Sequence, residues 1–93
     1  DTGISGRTAQ KVSEKMAVIA RNHQILCITH LAQIASMADH HYKVEKVENC
    51  GVTRSDIICL NDKQRVEEIA RIIGGVDITE QIYKTAKEMI KNS

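Results

Sequence analysis

The sequence has no phenylalanine, no tryptophan and no proline, and only two tyrosines. A core without large aromatic anchors has to be built from aliphatic side chains, here 13 isoleucines with valine, alanine and methionine. No apolar run approaches the ~20 residues that a membrane-spanning helix needs. No charged segment followed by an apolar one opens the sequence, so it does not begin as a signal peptide does. Cysteine is scarce: Cys27, Cys50 and Cys59 are an odd set with no CxxC spacing. That argues against a disulfide framework or a zinc site and points to a reducing, cytoplasmic compartment. Cys27, inside an apolar run, is expected to be a buried small hydrophobe. Neither sign of charge dominates, with 13 basic and 12 acidic residues. The balance excludes an acidic disordered tail and a strongly basic nucleic-acid arm. No GxxxxGK[ST] occurs, so the chain has no phosphate-gripping loop of that kind.

What is present is 93 residues, enough for one small domain. Area scaling has such a domain bury roughly 64% of its unfolded surface. The chain opens at Asp1, not Met, on a loop-like Asp1-Thr2-Gly3-Ile4-Ser5-Gly6. With the missing aromatics, this suggests a piece of a larger protein. Ser5 is placed to cap a first helix, whose apolar stripe is Ala9, Val12, Met16, Ile19 and Ala20. The helix should stop near Asn22 or His23.

Residues 24–29 (Gln-Ile-Leu-Cys-Ile-Thr) are continuously apolar and rich in β-branched side chains. They read as a strand buried on both faces, as in a parallel sheet covered by helices. A helix leading into such a strand is half of a βαβ unit, and its first strand would lie before Asp1. Residues 31–38 read as a short helix. Residues 40–47 alternate, with Tyr42 and Val44 on one side and Lys43 and Glu45 on the other. After the turn material Glu48-Asn49-Cys50-Gly51, residues 53–60 form a second strand and close an antiparallel hairpin. Asn61 with Gln64 resembles a capping box, followed by the stripe Val66, Ile69, Ala70 and Ile73. Gly74-Gly75 ends that helix. Asp77 with Glu80 is expected to start the last one, with the stripe Ile78, Ile82, Ala86, Met89 and Ile90.

The strongest chemical signal is Thr29-His30, at the expected C-terminal end of a buried strand, where ligands gather in open α/β sheets. A histidine there can donate to a phosphate oxygen; the alternative is a histidine that only caps the next helix. Gly3 and Gly6 flank Ile4-Ser5 before a helix, a loop that can approach an anion or simply turn. Arg7, Lys11 and Lys15 run at i, i+4 and i+8, a stripe that can touch nucleic-acid phosphates or be a solvated face. Lys84, Lys87 and Lys91 are a weaker version of the same pattern. No aromatics interleave with either set, which argues against a stacking platform for single strands. His23, His30, His40 and His41 lack metal-ligand spacing.

Three stretches together carry a resemblance. They are Asp1-Thr2-Gly3-Ile4-Ser5-Gly6-Arg7-Thr8-Ala9-Gln10, Cys27-Ile28-Thr29-His30-Leu31-Ala32-Gln33-Ile34-Ala35, and Ala38-Asp39-His40-His41-Tyr42 with Val44-Glu45-Lys46. With Arg65 to Arg71 and Gly74-Gly75, they resemble the C-terminal part of the bacterial RecN family of DNA-repair proteins, over essentially the whole chain. That resemblance implies an α/β fold, the C-terminal part of an ATP-binding-cassette head like that of structural-maintenance-of-chromosomes ATPases. It implies heads that dimerise around ATP and Mg²⁺ and act in recombinational repair of DNA double-strand breaks, in the cytoplasm at the nucleoid. Asp1, Thr2, Gly3, Ile4, Ser5 and Gly6 would form the loop after the Walker B strand, near the partner head. His30 would be the switch histidine that senses the γ-phosphate. The wider pattern ends that loop in an aspartate, where this sequence has Ser5. The P-loop, signature motif and Walker B carboxylates would lie before Asp1, so the segment alone is expected to be inactive and to hold no ATP. Uncovered apolar surface, and self-association or domain swapping, are expected of it. The rival expectation is a self-contained α+β module that binds protein or DNA and has no nucleotide role.

Overall fold

The computed structural model describes residues 6–93. Six elements follow one another: α1 (Gly6–Ala20), α2 (Ala32–Ala35), β1 (Tyr42–Asn49), β2 (Val52–Cys59), α3 (Asp62–Gly74) and α4 (Glu80–Lys91). The chain is a small mixed α and β domain whose sheet, among the described residues, is the antiparallel pair β1–β2.

The core lies between α2, α3 and α4. Ile69, Ala70 and Ala86 are fully buried, and Val66, Ile78, Ile82, Met89 and Ile90 pack around them. These are the stripe positions of two amphipathic helices, turned toward each other. Small residues let the helices approach: a Cβ on Gly74 would lie 2.7 Å from Ile82 Cδ1. The start of α3 is the expected capping box. Asn61 Oδ1 accepts from the Gln64 N–H at 2.8 Å, and Gln64 Oε1 accepts from the Asn61 N–H at 2.9 Å. Gly75, at φ 66°, ends it in the left-handed region. The start of α4 differs from expectation: its cap is Thr79, whose Oγ1 accepts from the Ile82 N–H, and Asp77 lies outside the helix.

The hairpin forms in the register Tyr42↔Cys59 and Val44↔Ile57. Its two-residue turn places Cys50 (φ 52°) and Gly51 (φ 78°) both in the left-handed region, as a turn matched to strand twist requires. The apolar face of Tyr42, Val44 and Ile57 points outward, while the opposite face carries Lys43 toward α3.

The strand expected at 24–29 is not formed. These residues belong to the connection between α1 and α2, and 24–28 are exposed, Leu26 by 90% and Ile28 by 93%. A doubly buried strand needs neighbours on both edges and helices on both faces, and the described residues supply none of these at 24–29. Cys27 is therefore exposed, contrary to its expected burial. The stripe of α1 is likewise half covered: Ala9 is buried and Ile19 exposed. The accessible surface is 7364 Å², against about 5,400 Å² for a folded monomer of this mass by area scaling. The expectation of uncovered apolar surface is met, and Leu26, Ile28, Val44 and Ile57 account for part of it.

Candidate functional site

His30 is exposed and sits one residue before Leu31, the N-cap of α2. It therefore ends an extended connection and not a buried strand. Thr29 beside it is half-buried, and its Oγ1 accepts a hydrogen bond from the Leu31 N–H at 3.0 Å. The short α2 is held from several directions. Ser13 Oγ on α1 donates to the Gln33 carbonyl at 3.3 Å, and Ser36 Oγ donates to the same carbonyl at 3.1 Å. Arg65 Nη2 on α3 donates to the Ser36 carbonyl at 2.7 Å and to the Ala35 carbonyl at 3.3 Å. Ser93 Oγ lies 2.9 Å from the Ser36 carbonyl and 2.6 Å from the Ile90 carbonyl, and its one proton is shared between them. A four-residue helix has carbonyls left over at its end, and these donors satisfy them while fixing α2 to the body.

Of the other expected site residues, Asp1, Thr2, Gly3, Ile4 and Ser5 lie outside the described residues. Gly6 is the first residue of α1 and is exposed. Arg7, Lys11 and Lys15 are all exposed on α1, so the basic stripe exists as a solvent-facing row. Two open clefts are lined by other residues than His30: one by Gln10, Glu14, Gln33 and Met89, the other by Val66, Tyr83 and Lys87. Among the described residues no group of three or more His, Cys, Asp or Glu side chains could hold a metal ion.

The charged cluster that the fold does build is one the sequence reading did not pick out. Glu68 is buried on α3 and is gripped from two sides. Lys43 Nζ from β1 lies 3.1 Å from Oε2, and Arg71 Nε donates to Oε1 at 2.8 Å, with Arg71 Nη2 closing on the same oxygen. Burial pushes the Glu68 carboxyl up, but the hydrogen bonds and charges of Arg71 and Lys43 outweigh it and leave the carboxyl below its ordinary value. Lys43 is held above its usual value by Glu45 and Glu68. His41, next to β1, is lowered by burial and then by the Arg65 charge, against the pull of Glu68. The i, i+3 spacing of Glu68 and Arg71 is visible in the sequence. The arrival of Lys43 from a strand 25 positions away is not.

No protein-family model matches the chain. Curated proteins do. The DNA repair protein RecN of Halalkalibacterium halodurans is 47% identical over 90 residues, covering 97% of this chain. RecN of Bacillus subtilis (strain 168) is 42% identical over 93 residues, the whole chain, and RecN of Xylella fastidiosa (strain 9a5c) is 41% identical over 91. The chain matches the C-terminal segment of RecN. It spans 16% of the length of each of these relatives. The RecN match runs through α1, the His30 connection, the hairpin and both long helices alike, since it covers 97–100% of the chain.

Proposed function

We propose that this segment works as the C-terminal part of an SMC-like, ATP-binding-cassette-type ATPase head in recombinational repair of DNA double-strand breaks. The observation that carries the reading is the match of nearly the whole chain to RecN, a protein named for DNA repair, over only 16% of its length. The open apolar surface at Leu26 and Ile28 supports it, since a segment of a larger head has covering surfaces supplied from elsewhere. In this reading 24–29 becomes a strand when its neighbours are present, and His30 then stands at that strand's end.

His30 is the group this segment lends to chemistry. An exposed imidazole fits a single donor contact to a γ-phosphate oxygen, where charge develops as phosphoryl transfer proceeds. In this reading ATP and Mg²⁺ are held by the remainder of the head. Bound there, they supply the phosphoryl group and its charge neutralisation. The loop Asp1 to Gly6 lies, in the same reading, against a second head in a homodimer that sandwiches ATP. Arg7, Lys11 and Lys15 are the exposed cations the segment offers to DNA.

The test is His30→Ala in full-length RecN carrying this segment. ATP hydrolysis should fall about tenfold or more while ATP binding persists, the size expected when one donor to the transferring phosphate is lost. An unchanged rate, with only thermal stability altered, would favour the self-contained interaction module instead. The 93-residue chain alone should neither hydrolyse ATP nor bind it tightly; stoichiometric nanomolar binding would refute the division of labour proposed here.

A further inference from the structure

His30 is exposed, but the chain around it is held on one side and free on the other. Among the described residues no hydrogen bond reaches 24–28. From Leu31 onward the backbone belongs to α2, which Ser13, Arg65 and Ser93 tie to the body. The change from free to held occurs at Thr29. Its Oγ1 accepts from the Leu31 N–H at 3.0 Å and so closes a side-chain turn that encloses His30. Leu31 is extended (φ −97°, ψ 126°) and its own side chain makes no capping bond. The Leu31 carbonyl accepts from the Ala35 N–H at 3.0 Å, so Leu31 belongs to the held part, and the Thr29 hydroxyl ties the chain ahead of it, His30 included, to that part through the Leu31 amide.

We propose that Thr29 is a positioning residue for His30. By holding the Leu31 amide, its hydroxyl sets the direction in which the imidazole leaves the anchored α2. The inference rests on the reading of His30 as a γ-phosphate contact. Its chemical requirement is an acceptor oxygen on a short side chain. Serine meets it; valine, which keeps the β-branched shape, and alanine do not.

The experiment is steady-state ATP hydrolysis by full-length RecN carrying this segment, unsubstituted and as Thr29→Val, Thr29→Ser, His30→Ala and the Thr29→Val/His30→Ala pair. Thr29→Val should lower kcat about threefold to tenfold, the factor that corresponds to the net worth of one hydrogen bond, and leave KM for ATP unchanged. Thr29→Ser should restore most of the rate. The pair should be no slower than His30→Ala alone, because a positioning residue has nothing left to position. If Thr29→Val gives no folded protein, Thr29→Ala takes its place in every comparison. A His30→Ala defect with an unaltered Thr29→Val rate overturns the positioning role and leaves the reading of His30 standing. So does an equal further loss from Thr29→Val in the His30→Ala background. An unaltered His30→Ala rate overturns that reading itself, and this inference with it.

Discussion

The Glu68→Gln substitution removes one negative charge from the α3–β1 junction and leaves the side-chain volume almost unchanged. Contacts from two cations are at stake, from Lys43 at 3.1 Å and from Arg71 through Nε at 2.8 Å and through Nη2. Breaking a fully buried pair costs about 3–5 kcal/mol because a charge is stranded. Here the side chain of Arg71 is 56% exposed and that of Lys43 30%, so water solvates both cations once Glu68 is neutral. The amide oxygen also still accepts one hydrogen bond. The loss is therefore nearer that of one charged hydrogen bond, about 2 kcal/mol. For a domain of this size that lowers Tm by roughly 8–16 °C. Thermal unfolding of the chain and its variant, followed by far-ultraviolet circular dichroism across pH, is the assay. The sign with pH is determined. Glu68 is held below its ordinary value of 4.5, so its contribution is fully present above that value and is lost as pH falls through the lower, folded value. The gap between the two proteins should close in acid, where protonated Glu68 is as neutral as glutamine. A Tm difference under about 3 °C near neutral pH, or a gap unchanged down to about pH 3, would refute the assignment of Glu68 as a net stabilising ion-pair partner.

Two further outcomes follow from the same structure. Asn61→Ala removes the acceptor for the Gln64 N–H and should cost about 1 kcal/mol, read as a lower urea midpoint, while Asn61→Asp should retain most of the stability. The pair Leu26→Asp and Ile28→Asp falls on side chains at least 90% exposed and should change stability by no more than about 0.5 kcal/mol. It should abolish the concentration-dependent association expected of the 93-residue chain in light scattering after gel filtration; a parent chain that stays monomeric at every concentration would contradict that expectation.

The helices were legible because their information is local. Val66, Ile69 and Ala70 on α3, and Ile82, Ala86, Met89 and Ile90 on α4, recur at spacings that a helix gathers onto one face, and Asn61 and Gln64 cap α3 within four residues of each other. The hairpin was legible for a similar reason, since Asn49, Cys50 and Gly51 carry the turn between two alternating stretches. The cap of α4 was misplaced by two residues because Asp77 and Thr79 are both good caps, and packing of Ile82 and Ala86 on α3 selects the phase. The stretch 24–29 has the composition of a buried strand but is an extended connection here, because composition records what a segment can bury, and burial also needs a covering surface.

The sequence by itself determined the three long helical stripes, the turn, the apolar character of 24–28 and the presence of a histidine after Thr29. Each follows from side chains within a few positions of one another. Only the tertiary structure decided that Lys43 meets Glu68, that Arg65 and Ser93 satisfy the carbonyls at the end of α2, and that the Thr29 hydroxyl takes the Leu31 amide. The first two sets join residues 25 to 57 positions apart, and the third selects one of several partners that a threonine hydroxyl can reach. A pattern along the chain fixes which groups need partners; the folded geometry chooses among the partners available.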